Sequence, residues 1–145
     1  MRPFRFRLDR LKKVRSSQER AARASFANAM GEVTRTETVL RDSLIKRDGA
    51  REELRHILAE GNSASSFLTA RRVTDRFDVI VDAAEEDCSR ATSKADCARA
   101  NWVAIRAKDE GLSRLRDSRE SEYRRETERC LARELDEIAM TRAAG

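Results

Sequence analysis

The stretch EGNSASS at residues 60–66 is the one cluster of turn-forming residues in a chain of 145 residues that contains a single proline. Gly61 and Asn62 can both adopt the positive φ with which helices commonly end. Each serine of the stretch can cap a second helix. The stretch therefore predicts that the chain reverses here, between a helix over about 4–59 and a helix over about 67–141.

Upstream of the turn, apolar residues are spaced alternately by four and three, which is the repeat of a coiled coil. Seven of the ten repeat positions are apolar. Before them, Ala22, Phe26 and Met30 are separated by two consecutive fours, and this spacing predicts a local stutter. The predicted seam of the first helix is Phe26, Met30, Val33, Glu37, Leu40, Leu44, Arg47, Arg51, Leu54 and Leu58.

Downstream of the turn, seven apolar residues recur at strict intervals of seven, namely Ala70, Phe77, Ala84, Ala91, Ala98, Ile105 and Leu112. The second apolar position of each repeat, which we call the companion position, is less regular. The companions are Val73, Ile80, Cys88, Ala95, Trp102 and Leu115, and polar residues at 87, 94 and 101 lie between them. The pattern predicts a second coiled-coil helix whose pairing is loose over 85–101.

A reversal near 62 and 63 predicts that the numbers of facing residues sum to roughly 125, which places Leu44 beside Val81 and Trp102 beside Ala22. The predicted fold is all-α: a long antiparallel two-helix coiled-coil hairpin formed by residues 1–145 as one unit. At ~1.5 Å per residue the arms would be about 80 Å and 110 Å long. We expect a monomeric rod in which each arm covers the seam of the other.

Charged residues make up 39% of the chain, and the formal net charge is +5. The excess lies at the start, where residues 1–25 contain nine basic and two acidic residues. Such a segment suits nucleic acid, an acidic membrane surface or an acidic protein. The sequence has no signal peptide and no apolar run long enough to span a membrane. Together with the odd number of cysteines, Cys88, Cys97 and Cys130, this predicts a cytoplasmic protein with reduced thiols.

The residues that catalysis requires are missing from the sequence. Neither phosphate-binding glycine motif occurs, and a single histidine with three scattered cysteines does not make a usual zinc site. His56 is expected to be a solvated helix residue, because it has no orienting partner in the pattern. Adjacent carboxylates such as Asp136 and Glu137 point away from each other on a helix. We therefore expect no enzymatic activity, no cofactor and no metal.

The predicted register leaves about two dozen C-terminal residues beyond the end of the first helix. One helical face here carries apolar residues that no first-helix residue beyond Phe4 can cover. They are Tyr123, Leu131, Leu135 and Ile138. At the other chain end, Phe4, Phe6 and Leu8 alternate with arginines. Uncovered apolar side chains ringed by charge indicate a partner surface.

The two chain ends also resemble one family. The opening FRFRLDRL at 4–11 and the closing LARELDEIA at 131–139 are similar to the ends of the bacterial flagellar FliJ proteins. The resemblance implies a non-enzymatic stalk of the flagellar type III export apparatus, peripherally associated with the inner membrane. Such a stalk inserts into the hexameric export ATPase and contacts the export-gate membrane protein and the export chaperones.

On this resemblance and the exposed chain ends, the residues expected to bind the ATPase are Phe4, Arg5, Phe6, Arg7, Leu8, Leu11, Leu131, Leu135 and Ile138. Specific recognition of nucleic acid is not expected. Two other classes of function stay open from the residues. One is a generic coiled-coil scaffold, which the periodicity explains equally well, and the other is a basic protein that associates with nucleic acid.

Overall fold

The protein, seen in a computed structural model that describes residues 3–61 and 63–143, is a helical hairpin. Helix α1 runs over Asp9–Ala59 and helix α2 over Ala64–Ala143, and no described residue lies in a strand. The two helices pack against each other. The predicted all-α hairpin is therefore confirmed. Contacts divide the chain into two compact units. We call Ala22–Trp102 the inner unit and the described residues 3–21 and 103–143 the outer unit.

Helix α1 begins at Asp9, five residues later than the predicted start near residue 4. Residues 3–6 have no regular structure, and the carbonyl oxygen of Phe6 accepts a hydrogen bond from the amide of Asp9 at 3.1 Å. In a helix, Phe4 and Phe6 would point in directions about 200° apart. The non-helical backbone instead allows both rings to be covered, with Phe4 half-buried and Phe6 buried.

The turn is shorter than the predicted 60–66. Gly61 has a φ of +68°, as the sequence predicts for a residue that ends a helix, and Asn62 lies outside the described residues. The side chain of Ser63 accepts a hydrogen bond from the amide of Ser66 at 3.3 Å, so Ser63 is the cap of α2. Because the first of the candidate serines caps the helix, α2 begins three residues before the predicted position.

In the inner unit, α2 contacts α1 through an unbroken alternation of threes and fours. All the predicted residues at intervals of seven are buried or half-buried, which confirms them. The companion series lies one residue later than predicted near the turn, because Thr74 and Val81 are buried while Val73 and Ile80 are exposed. The seam of α2 is Phe67, Ala70, Thr74, Phe77, Val81, Ala84, Cys88, Ala91, Ala95, Ala98 and Trp102.

The observed seam of α1 differs from the predicted one at several positions. Phe26, Val33, Leu40, Arg47 and Leu54 are covered as predicted, and Leu44 is half-buried beside the buried Ser43. The other predicted positions, Met30, Glu37, Arg51 and Leu58, are exposed, and the residue just before each of them is covered instead. The predicted stutter is also wrong, since spacings of three and four alternate throughout. The observed seam is Ala22, Phe26, Ala29, Val33, Thr36, Leu40, Ser43, Arg47, Ala50, Leu54 and Ile57.

Small side chains explain the difference. Residues such as Ala29 and Ser43 permit a closer approach of the two helices than Met30 or Leu44 would at the same position. Each buried hydroxyl is satisfied within its own helix. Ser43 donates to the carbonyl of Val39 at 2.8 Å, and Thr74 donates to that of Ala70 at 3.1 Å. The polar seam residues therefore leave no unpaired hydroxyl, and the predicted preference for the larger apolar neighbours was wrong at these positions.

The expectation of loose pairing over 85–101 is wrong. Val33, Ala91 and Ala95 form a buried cluster, with Ala29 packed against it. The polar residues at 87, 94 and 101 face solvent and do not interrupt the seam. A tight small-residue interface therefore occupies the stretch that the sequence pattern marked as weak.

Cross-helix contacts confirm the antiparallel arrangement and its approximate register. In the inner unit, Arg51 forms an ion pair with Asp78 at 2.7 Å. Trp102 stacks on Phe26, with ring centroids 5.6 Å apart, which places it one turn from its predicted neighbour Ala22. In the outer unit, Ser16 Oγ donates to Asp109 Oδ1 at 2.7 Å. No described contact tests the predicted pairing of Leu44 with Val81.

We expect the small-residue interface to be sensitive to added volume. Replacing Ala91 with Leu forces extra atoms between the helices, so Ala91→Leu should lower the free energy of unfolding by about 1–3 kcal/mol. The matched control is Ala83→Leu, because Ala83 is exposed on the same helix and its change should stay within about 0.5 kcal/mol. Urea unfolding followed by circular dichroism measures both, and equal effects would contradict the interface.

Two glycines should respond to alanine in opposite directions. Gly49 lies in α1, and a Cβ atom added to it would meet no other atom within 4 Å, so Gly49→Ala should raise the free energy of unfolding by about 0.5–1 kcal/mol. Gly61 has an equally open environment but a positive φ. Gly61→Ala should therefore be destabilising, by about 1 kcal/mol. Thermal unfolding of the two variants tests whether Gly61 has a positive φ in the turn. Stabilisation by Gly61→Ala would contradict that backbone conformation.

Candidate partner-binding surfaces

The segment of residues 3–8 packs against α2 in the outer unit. The ring of Phe4 packs against Tyr123 with a centroid distance of 5.7 Å and an interplanar angle of 45°. Phe6 is buried, with 9% of its surface exposed. Leu8 is half-buried, and its carbonyl accepts a hydrogen bond from the amide of Lys12 at 2.9 Å. The N-terminal aromatic residues are therefore part of the packing of the outer unit.

Beside this segment lies an open cleft with a volume of about 780 Å³. The apolar part of its wall comes from Phe4, Phe6 and Leu8 on one side and from Leu115 and Tyr123 of α2 on the other. Two aromatic rings remain partly accessible, because Phe4 and Tyr123 are only half-buried. A cleft of this size and composition is suited to receive apolar side chains of another protein.

Charges of both signs surround the cleft. Arg5, Arg7 and Arg119 contribute positive charges, while Glu122 and Glu126 contribute negative charges. Arg119 and Glu122 form an ion pair with each other at 2.9 Å, and both side chains are more than half exposed. An exposed pair of this kind adds little stability, so it is free to exchange partners on binding. Arg5 and Arg7 are exposed and belong to no described ion pair.

The C-terminal part of α2 presents a second surface. From Glu128 to Arg142 every residue is exposed, so nothing in the described chain covers this part of the helix. Leu131, Leu135 and Ile138 are 45%, 65% and 49% exposed, respectively. Their spacing of four and three places them on one face. We call these three residues the C-terminal stripe.

The residues that the sequence predicted to bind the ATPase therefore differ in how far they are buried. Phe6 faces inward and Phe4 and Leu8 are half-buried, whereas Leu11 and the C-terminal stripe are exposed. Leu115, Arg119, Glu122 and Glu126 complete the cleft but were missing from the predicted set. The predicted register could have identified them. Facing residues that sum to about 125 put Phe4 opposite Ser121, which is close in sequence to Arg119, Glu122 and Glu126. Whether any of these side chains contacts the ATPase stays a prediction.

The remaining chemical groups lie apart from these surfaces. His56 is exposed and pairs with Glu60 one turn later, with 3.4 Å between Nδ1 and Oε2. Cys97 and Cys130 are exposed, Cys88 is half-buried, and all three are free thiols. Within residues 3–61 and 63–143, no group of three or more histidines, cysteines or carboxylates could hold a metal ion. In the same residues, no helix is apolar enough over a sufficient length to cross a membrane.

The structure is thus that of a helical-hairpin protein whose outer unit has an open cleft and an exposed apolar stripe. The family model described as "Flagellar FliJ protein" matches residues 4–145. The chain therefore belongs to the FliJ family, as its two ends predicted, and is a component of flagellar protein export. This family consists of structural stalk proteins and is not known for enzymatic activity. No curated protein and no solved structure matches the chain.

Burial of Phe6 should hold the N-terminal segment in place. Phe6→Ala removes the most buried side chain of the segment at a cost of about 3 kcal/mol, which should release residues 3–8. Trypsin should then cleave after Arg7 severalfold faster than in the wild-type protein. Leu11→Ala is the matched control, because Leu11 is exposed and its loss should leave the cleavage rate unchanged. Equal rates in both variants would show that Phe6 does not anchor the segment.

Proposed function

We propose that the chain is the non-enzymatic stalk of the flagellar export apparatus. In this proposal the outer unit inserts into the hexameric export ATPase and promotes its assembly and activity. The stalk also couples the ATPase to the export-gate membrane protein and to the export chaperones. Family membership supports the role in export, and the surfaces of the outer unit support its use as the binding end.

The single observation that carries the proposal is the C-terminal stripe. Exposed leucine and isoleucine on one face of a helix lose favourable burial, amounting to about 1.5 kcal/mol or more for each side chain. Contiguous exposed apolar residues mark interaction sites on soluble surfaces. An apolar groove of a partner would cover Leu131, Leu135 and Ile138 together, since the three side chains follow one another at helical spacing.

The N-terminal cleft supplies the second half of the proposed contact. Its half-buried rings, Phe4 and Tyr123, offer aromatic contact area, and aromatic residues are enriched in the binding centres of interfaces. Exposed Arg5 and Arg7 stand beside them. Arginine beside an aromatic anchor pairs well with carboxylates of a partner. The ATPase surface that receives the cleft is thus expected to combine an apolar residue with acidic neighbours.

This architecture is suited to binding a partner protein. The long small-residue seam of the inner unit fixes one helix against the other, whereas the outer unit contains a stretch of α2, residues 128–142, in which every residue is exposed. A protein of this design acts on the ATPase by being bound and by keeping its helices together. Family membership supports a role in export, and the coupling to the gate and chaperones is proposed without assigning residues to it.

The stripe provides the direct test. Leu135→Ala with Ile138→Ala should weaken binding to the export ATPase about a hundredfold, because two buried side chains are each worth about 1.5 kcal/mol or more. Alanine favours helix, so the hairpin should keep its circular-dichroism spectrum. Affinity is measured by biolayer interferometry with the purified ATPase.

The matched control truncates two exposed apolar residues elsewhere. Val39→Ala with Ile45→Ala removes side chains that are 53% and 64% exposed on α1 in the inner unit. This control should bind the ATPase with wild-type affinity. If the stripe variant also binds like the wild-type protein, the stripe is not part of the ATPase interface.

A further inference from the structure

A groove in the outer unit gathers positive charge at a place separate from the surfaces described above. It has a volume of about 380 Å³ and is lined by Asp9, Lys12, Lys13, Ser16, Arg20 and Arg116. The α1 residues of this set follow one another at intervals of three or four except for the adjacent lysines, so they share one face of the helix. Arg116 is a half-buried residue of α2.

The groove has four cations and one carboxylate, a formal excess of three positive charges. None of the ion pairs described for this chain includes Lys12, Lys13, Arg20 or Arg116. The nearby carboxylate of Asp109 accepts the hydroxyl of Ser16 at 2.7 Å. The protein therefore places two carboxylates at or beside the groove, those of Asp9 and Asp109, against four cations, which leaves an excess of two positive charges.

Arg116 provides an independent observation. Its Nε atom is buried and has no hydrogen-bond partner. A covered guanidinium N–H without an acceptor is unfavourable, and like charges nearby add to the cost. An anion in the groove would place negative charge beside this guanidinium and would neutralise the lysines at the same time.

We propose that this groove binds a phosphate group. The guanidinium fork matches the geometry of phosphate oxygens, and lysine ammonium groups complete such sites as point charges. Lys12, Lys13 and Arg20 belong to the basic excess at the start of the chain and are not used by the proposed ATPase contact, and they thereby gain a function. The phosphate group belongs either to a soluble anion or to a lipid headgroup, and the experiment distinguishes these two sources by using a separate probe for each.

The test uses the full-length protein with two probes. Inorganic pyrophosphate represents a soluble phosphate, and its binding is followed by NMR through the Arg116 Nε–H resonance and by calorimetry. Vesicles of phosphatidylglycerol and phosphatidylcholine represent the lipid headgroup, and they are assayed by co-sedimentation. Binding of pyrophosphate shows that a soluble phosphate is sufficient. Binding restricted to vesicles identifies the lipid headgroup.

The main variant is Lys13→Gln with Arg20→Gln, because both side chains are exposed and the hairpin should stay folded. We call the effective probe whichever of the two probes the wild-type protein binds. Losing two charged contacts should weaken binding of the effective probe at least about tenfold. Arg116→Gln should give a similar loss. The matched control is Arg41→Gln with Lys46→Gln, which removes the same charges from exposed positions of α1 outside the outer unit.

The control variant should retain wild-type binding of the effective probe. Two results would overturn the proposal. One is equal weakening in the groove and control variants, which would show attraction to overall charge. The other is the absence of binding to both probes.

Discussion

Close packing of two helices through small residues is the constraint on which the structure of the inner unit depends. Alanine, serine and threonine occupy alternate seam positions on α1, and alanines recur on α2. Short side chains gain little by burial individually, but they permit close approach of the backbones and many weak contacts. Larger residues such as Phe26 and Trp102 then fill the space at defined points, as their stacked rings show. Polar seam residues are tolerated because their hydroxyls bond within their own helix.

The outer unit has a different seam. Lys12, Arg15 and Glu19 are half-buried on α1, and Asp109 and Arg116 are half-buried on α2. Adjacent residues are covered together on both helices, so the regular alternation shifts here. The pairs are Arg15 with Ser16 on α1, and Asp109 with Glu110 and Leu112 with Ser113 on α2. Such a seam gains less from apolar burial than the inner one. The unit that offers the cleft, the stripe and the basic groove is thus also the unit whose helices are joined by polar contacts.

This division suits a protein of flagellar export that acts by binding. Burial of Phe6 and the contact of Phe4 with Tyr123 fix the shape of the cleft, while the stripe lies on a helix that nothing in the described chain covers. The proposed contacts with the ATPase and the proposed phosphate site use different residues of the outer unit. One can therefore be removed by substitution without removing the other.

The sequence by itself determined the two helices, the reversal at Gly61, the approximate register and the strict series of sevens from Ala70 to Leu112. These features depend on local propensity and on a period that any partner helix must satisfy. The tertiary structure decided which neighbour enters the seam, because Ala29 and Met30 fit the same repeat and only the distance between helices selects the smaller one. It also decided that residues 3–8 are not part of α1, since this segment packs beside Leu115 and Tyr123, which are more than a hundred residues away along the chain.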